Sequence, residues 1–371
     1  MAVFQTYTAI GNREDLSNVV TRIAVEETPL LSSIKKTKAT GVLHEWVSET
    51  LDAPAFNAEV EGSDATFGVI TPRDRTTNYC QISRKTGLIS RTQEAVMKAG
   101  VSSEYAHQLE KKTKELARDM ERAHWQGAAS AGSASAARTS KGIFNFVTTN
   151  RQSMSGITGA DVADTCSAIG GASTLTLAVG GGAGSADGDH YLITTGVGAG
   201  QYRVQSGAAA GDVITMTEAW DVIPAAASTY LHMTVPIAMT EAKLGDGIQA
   251  AKDAGGNPRK VYVAGAQKRV ISGLATSQRT VNDKSKTLTS TIDIYESDFG
   301  NLELKYDRWT PNGTAAILDE DYFATAFLRP IVAEEIPMTG SARKFMIEGE
   351  YCLESNGETA SALVVGAKLT V

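Results

Sequence analysis

Between Ser103 and Trp125 the sequence carries one long amphipathic period, and any fold for this chain has to give that segment a surface to lie on. Tyr105, Leu109, Leu116, Met120 and Ala123 recur at steps of three, four or seven, while Glu110, Lys111, Lys112, Lys114, Glu115, Arg118, Asp119, Glu121 and Arg122 occupy the other faces. At ~1.5 Å per residue such a helix is about 35 Å long, close to the width of a small domain. It can act as a beam to which other elements attach. Opposite charges four apart, Glu110 with Lys114 and Lys111 with Glu115, add only about 0.2–0.5 kcal/mol each, so they solubilise the helix more than they hold it.

The segment before the helix is the second constraint. Gly41 to Leu51 reads as a strand with Leu43, Val47 and Leu51 on one face and Trp46 on the other, and a return strand is expected around Asn78 to Ile89. Between them lie about twenty-five residues rich in Glu, Asp, Arg, Gly and Pro with almost no core-forming period, too long for an ordinary connection inside one compact domain. Glu59, Glu61, Asp64, Arg73, Asp74 and Arg75 give it mixed charge, and Trp46, Phe56 and Phe67 are potential anchors. An arm that becomes ordered by lying across a neighbouring subunit accounts for both length and charge.

Upstream, Asn12 and Asp15 mark a helix start, Leu16, Val19, Val20 and Ile23 form one apolar face, and Thr28-Pro29 stops it. Lys35, Lys36 and Lys38 follow as a basic cluster, read as a solvated loop, with an inward-facing contact to nucleic acid as the alternative. Downstream, the run from Gly127 to Gly142 is low in complexity and reads as a loop. No Lys occurs between Gly142 and Ala242. Within that stretch Leu175–Val179, His190–Thr194, Gln201–Val204, Val213–Thr217 and Thr229–Val235 read as short strands between Gly-rich turns, which predicts a small inserted all-β module at residues 156–236. Thr240 then caps a helix through Leu244, Ile248 and Ala251 that ends at Gly255-Gly256-Asn257-Pro258, followed by a strand at Val261–Ala264 and a helix at Gln267–Leu274. In the last third, Leu302, Leu304 and Tyr306 alternate with charged residues before Asn312-Gly313, and Phe345, Ile347, Tyr351 and Leu353 do so before Asn356-Gly357. Both pairs read as hairpin turns, supplying the apolar sheet on which the long helix lies.

Composition excludes several functions. A formal net charge of −7 over 371 residues argues against a chain whose main task is binding nucleic acid. Cys80, Cys166 and Cys352 are dispersed and odd in number, which gives neither a disulfide framework nor a metal spacing and points to a reducing compartment. The first fifteen residues lack the basic start and apolar run of a secretory signal, and no transmembrane span is legible. His44, His107, His124, His190 and His232 do not form a local metal-ligand motif, no Gly-x-Ser-x-Gly elbow exists, and the strand–helix passage "VYVAGAQKRV" lacks the glycine spacing of a nucleotide loop. No cofactor, metal or catalytic residue is expected, and the chain reads as a non-enzyme.

The segments "REDLSNVV", "EETPLLSSI", "HEWVSETL", "EGSDA", "RTTNYCQI", "ISRTQEAV" and "KELARDMERA", followed by "DAGGNPRKVYVAGAQKRVISG", "IDIYESDFGNLELKYDRW", "LDEDYFATAFLRP" and "EYCLESNGETA", resemble in their order the tailed-bacteriophage major capsid proteins. The resemblance covers most of the chain outside the β module. It implies an α+β fold of the Hong Kong 97 type, with residues 1–38 as an N-terminal arm, 39–92 as the extended hairpin called the E-loop, and 93–155 as the peripheral domain with its spine helix and the start of the axial domain. Residues 156–236 would be an inserted β-rich domain on the exterior, 237–293 axial domain, and 294–371 peripheral strands and the C-terminal return. It also implies self-assembly into hexamers and pentamers of an icosahedral head, with double-stranded DNA packaged on the inner face without sequence specificity. Portal, scaffold or decoration proteins would be partners, no membrane would be involved, and the chain would reside in the virion after assembly in the host cytoplasm. The absence of a scaffold-like prefix before the arm suggests a separate scaffold or none. Leu16, Val19 and Ile23 in the arm and Trp46, Glu61, Arg73 and Arg75 in the hairpin are the expected contacts between subunits. The competing reading is a surface- or carbohydrate-binding protein working through the β module.

Overall fold

The computed structural model describes residues 27–369, apart from 50, 53, 60, 63, 65–66, 97–100, 155–161, 235, 275–293 and 339. The chain opens with α1 (Pro29–Ser33), β1 (Lys35–Lys38), β2 (Leu43–Ser48), β3 (Asp74–Tyr79), β4 (Gln81–Ser90) and α2 (Arg91–Ala95), then the long α3 (Glu104–Gln126) and α4 (Ile143–Phe146). A β-rich stretch follows: β5 (Arg151–Ser153), β6 (Val162–Thr165), β7 (Thr174–Thr176), β8 (His190–Thr195), β9 (Tyr202–Val204), β10 (Val213–Thr215) and β11 (Thr229–Met233). The remainder comprises α5 (Glu241–Asp253), β12 (Lys260–Val263), α6 (Gly265–Leu274), β13 (Ile294–Ser297), β14 (Gly300–Tyr306), β15 (Ala315–Leu318), β16 (Phe323–Ile336), β17 (Ala342–Ser355) and β18 (Ala362–Val365).

Helix α3 forms where the period predicts it. The Ser103 hydroxyl accepts the Ala106 amide at 3.3 Å as its N-cap. Its apolar stripe lies on the four-stranded sheet ordered β1-β16-β17-β4, where Leu116, with Tyr105 and Leu109 beside it, packs on Ile89, Phe345 and Ile347. Tyr105 meets the Phe345 ring edge-on at 5.4 Å. The Phe345 ring lies over Gly87 on the neighbouring strand, where an added Cβ would sit 2.3 Å from Cζ, so this strand passes under the ring only as glycine. Toward its C-terminus α3 buries charge as well. Glu121, assigned by the helical period to a polar face, is fully buried, as are His124 and Trp125.

The second sheet has six strands in the order β13-β14-β12-β15-β18-β5. Helix α5, capped by Thr240, packs on it through Leu244, Ile248 and Ala251, and Ile271 of α6 joins the same core. Neither Asn-Gly pair is a hairpin turn. β12 lies between β14 and β15, parallel to one and antiparallel to the other, so Asn312-Gly313 sits in a longer connection between strands that do not pair. Asn356-Gly357 leads from β17 in one sheet to β18 in the other. The strands after Ile294 therefore divide between two sheets, and the long helix rests on β17 together with β4 from the first third of the chain. Period-2 patterning identifies strands, but it carries no information on which neighbour completes the ladder.

The five strands expected in the Lys-free stretch are present as β7 to β11, joined by β6, which was not expected, in the sheet β6-β11-β8-β9 and the pair β10-β7. They enclose a core of Leu175, Leu177, Tyr191, Ile193, Ile214, Trp220 and Tyr230. Leu192, Tyr202, Val204 and Met233, by contrast, belong to the largest core, with Trp125, Phe144, Tyr262 and Leu363. The alternation along β8 sends Tyr191 and Ile193 to one core and Leu192 to the other. Polar bonds close the seam, with Arg203 Nη1 donating to Gln126 Oε1 at 2.5 Å and Asn145 Nδ2 to the Ala199 carbonyl at 2.9 Å. This part of the chain shares its core with the rest, a feature that composition alone did not indicate.

Candidate assembly surfaces

The hairpin arm is built from two strands that pair only with each other, Leu43 opposite Tyr79 through Ser48 opposite Asp74. Trp46, expected at a contact between subunits, is instead its internal anchor. It is 8% exposed, donates Nε1–H to the Ser355 carbonyl at 2.8 Å, and packs 6.0 Å from the Phe146 ring. The consequence is an inverted strand, with Leu43, Val47 and Leu51 turned to solvent. Beyond it the described residues between β2 and β3 form neither helix nor strand, and Leu51, Phe56, Phe67, Val69 and Ile70 are each at least 90% exposed. Arg73 pairs with Glu49 at 3.1 Å and Arg75 with Glu45 at 3.5 Å across the ribbon, all on the surface, and Glu61 is exposed.

The root of this arm is held by residues that sequence reasoning missed. The buried Asn78 side chain donates to the Leu353 carbonyl at 2.6 Å and to Ser140 Oγ at 3.1 Å, and accepts the Lys141 amide at 2.8 Å. One asparagine thus ties the end of β3 to β17 and to the low-complexity loop. The return path expected as one strand is two, because β3 pairs with β2 and β4 with β17, and Cys80 is the residue between them. An Asn inside a strand period, where a side chain of poor strand propensity needs a reason, was the available signal.

A second root lies at α1. Both carboxyl oxygens of Glu121 receive amides of that helix, Leu30 N–H on Oε1 and Leu31 N–H on Oε2, each at 2.8 Å. Pro29 occupies the first turn, where its missing N–H costs nothing. The neighbouring Asp307 accepts Trp125 Nε1–H at 2.7 Å and the Trp309 amide at 2.8 Å, while Trp309 Nε1–H reaches the Glu27 carbonyl at 3.4 Å. Burial and then the adjacent Asp307 carboxylate push Glu121 up to about 8, against the two amides that favour its ionised form. Burial raises Asp307 as well. The two acids lie together where α1 meets α3, and each is held above its ordinary range. Leu16, Val19 and Ile23 fall outside the described residues.

Two charged surfaces remain. On the sheet, Arg84 and Arg329 both clamp Glu348, and Arg329 and Arg138 both clamp Glu350. The arginines hold Glu348 below the usual carboxylate range. A cleft of about 720 Å³ runs past the end of α3, lined by Arg122, Arg203, Arg308, Glu218 and Trp309. Arg122 and Arg203 both pair with Asp221, at 3.0 and 2.9 Å. Arg122 and Arg203 are thus committed to structural pairing, and Lys35 to Lys38, expected as a loop, form the exposed edge strand β1.

The described part of the molecule is thus an anchored, exposed arm beside a body of one long helix on a sheet. The model of the SU10 major capsid protein family matches residues 3–368. The chain belongs to that family. The major capsid protein of Escherichia phage Phieco32 is 23% identical to this capsid protein over 378 residues, covering 98% of this chain and 97% of that one. Among solved structures, one from Mycobacterium phage Adephagia superposes with a TM-score of 0.53 at 8% identity, covering 99% of this chain and 98% of the other. The capsid of cyanophage P-SCSP1u gives 0.53 at 9% identity, with 98% and 97% covered. The capsid of a native GTA particle gives 0.52 at 10% identity, with 98% and 96% covered. The fold is the Hong Kong 97-type capsid fold, and the capsid protein is a structural component of a phage head, not an enzyme.

Proposed function

We propose that this capsid protein closes an icosahedral shell of pentamers and hexamers around double-stranded DNA, with residues 39–92 acting as an E-loop that lies across a neighbouring subunit. The observation that carries this reading is the run of exposed Leu51, Phe56, Phe67, Val69 and Ile70 on a ribbon anchored at its root by Trp46 and Asn78. Large apolar side chains exposed together on a single subunit mark an interface, and an arm reaching over a neighbour would enlarge a contact beyond the roughly 1,200–2,000 Å² of an ordinary pair. Closed symmetry lets one such patch serve every subunit.

In this reading Glu61, Arg73 and Arg75 contact the neighbour at the rim of the ribbon, and Leu16, Val19 and Ile23 do so from the N-terminal arm of residues 1–38. Residues 93–155 and 294–371 supply the peripheral domain, 237–293 the axial domain, and 156–236 the exterior face on which a decoration protein would sit. Assembly takes place in the host cytoplasm, with portal or scaffold proteins as partners. DNA contact is without sequence specificity, in keeping with the net charge of −7.

The test is a Phe56→Ser, Phe67→Ser, Ile70→Ser triple variant examined by electron microscopy and by thermal denaturation of the unassembled subunit. The expected result is an unchanged midpoint with no closed shells. Shells forming at the normal yield would sink the proposal.

A further inference from the structure

Cys80 and Cys352 are far apart in sequence and meet at the root of the arm. The β4–β17 ladder pairs Gln81 with Tyr351, and continuing that register by one residue places Cys80 opposite Cys352. The Cys80 amide donates to the Val42 carbonyl at 2.8 Å, so it is not spent on Cys352. In an antiparallel pair that lacks this bond the side chains approach most closely. The two sulfurs are 3.4 Å apart, share a hydrogen bond, and are both free thiols at 0% exposure. Ala39, Ala326 and Leu328 surround them, and on the arm side Gly41 covers them, its carbonyl receiving the Cys80 thiol at 3.6 Å. Val42, next to it, is 41% exposed, so the cover is thin.

We infer that Cys80 and Cys352 form a redox latch, a disulfide made by a small peroxide that fixes the root of the arm to the central strand of its own sheet. The step balances as follows. The Cys80 sulfur attacks one peroxide oxygen, the O–O bond breaks, and Cys80 becomes a sulfenic acid with release of water. The Cys352 sulfur then attacks the Cys80 sulfur, the S–O bond breaks, and the hydroxyl leaves with the Cys352 proton as a second water. Two thiols are oxidised and one peroxide is reduced. Cys80 is the attacking group: it sits at the arm root directly beneath the Gly41 cover, and its contact with Cys352 holds its thiol below the ordinary range, while Cys352 is raised by the same contact and by burial. Cys166 is the internal control, since it is buried elsewhere and burial pushes it up to about 11. The capsid reading enters only through timing. Thiols stay reduced in the cytoplasm, where the arm has to move into place, and oxidation follows once the particle is outside.

The experiment treats the full-length protein, unassembled and as particles, with hydrogen peroxide, then alkylates it under denaturing conditions and maps the products by mass spectrometry. Expected are a Cys80–Cys352 linkage, a mass about 2 Da lower than that of the reduced chain, and Cys166 alone alkylated. In Cys352→Ser, Cys80 should stop at the sulfenic acid and be trapped by dimedone. In the oxidised wild type, amide exchange should slow at residues 41–48 and 74–80. Full alkylation of both cysteines after peroxide, or direct passage of Cys80 to sulfinic acid, overturns the latch, and a disulfide that leaves exchange at the arm root unchanged overturns its mechanical role. A subunit that forms the disulfide but closes no shell under electron microscopy refutes the proposed shell-closing role of the arm and leaves the latch standing.

Discussion

The two ends of the arm system are opposites. At the α1 root a buried carboxyl group takes two amides, Trp125 donates to the neighbouring Asp307 and Trp309 to the Glu27 carbonyl, so the site is held by hydrogen bonds within one subunit. Between β2 and β3 the large apolar side chains of the described residues stand almost wholly in solvent. One region is packed within the monomer, and the other, in the proposed reading, is one half of an interface. Stability should therefore reside in the first and assembly in the second, and mutations ought to separate the two cleanly.

The largest effect belongs to Trp125→Ala. It empties the site between Phe144 and Tyr262 and strands Asp307, so the unassembled subunit should lose about 3–5 kcal/mol in urea denaturation. Glu121→Gln comes next. The amide nitrogen cannot accept one of the two α1 N–H groups, which should cost about 1–3 kcal/mol and raise proteolysis near Glu27. The same site predicts a pH dependence. Glu121 holds a proton in the fold up to about 8, whereas the unfolded chain releases it near its ordinary 4.5, so stability falls as pH rises through that window. His124, pushed down to about 4 from 6.5 by burial, acts in the opposite sense below 6.5, so the Glu121 slope is cleanest between 6.5 and 8. Glu121→Gln should flatten it, and an unchanged slope would assign the dependence elsewhere. Smallest of all, Phe67→Ser should move the unassembled subunit by less than about 0.5 kcal/mol while slowing assembly followed by light scattering. A large loss of subunit stability would mean that the hairpin folds back on its own chain.

Much of this was legible in the residues. The α3 period, the Thr240 cap and the short strands of the Lys-free stretch all lie within a few residues of their predicted places, because each is specified by local pattern. What stayed hidden is what depends on partners distant in sequence. Glu121 reads as one more charge on a charged helix, and only the arrival of Leu30, Leu31 and Asp307 makes it a buried anchor. Trp46 was legible as an anchor but not as an internal one, since the strand period is equally consistent with either face turned inward. The Asn-Gly pairs misled because turn chemistry is local, whereas the insertion of β12 between β14 and β15 is not.

The ladder between β4 and β17 has a mechanical consequence. Ten residue pairs, from Gln81–Tyr351 to Ser90–Ala342, connect the strand that continues out of the arm to the centre of the sheet. Tension applied to the arm along the axis of β4 loads those pairs together in shear, whereas a pull across the strand would peel them apart one at a time. Any load the arm carries along that axis therefore reaches the sheet in the direction in which a β ladder is strongest.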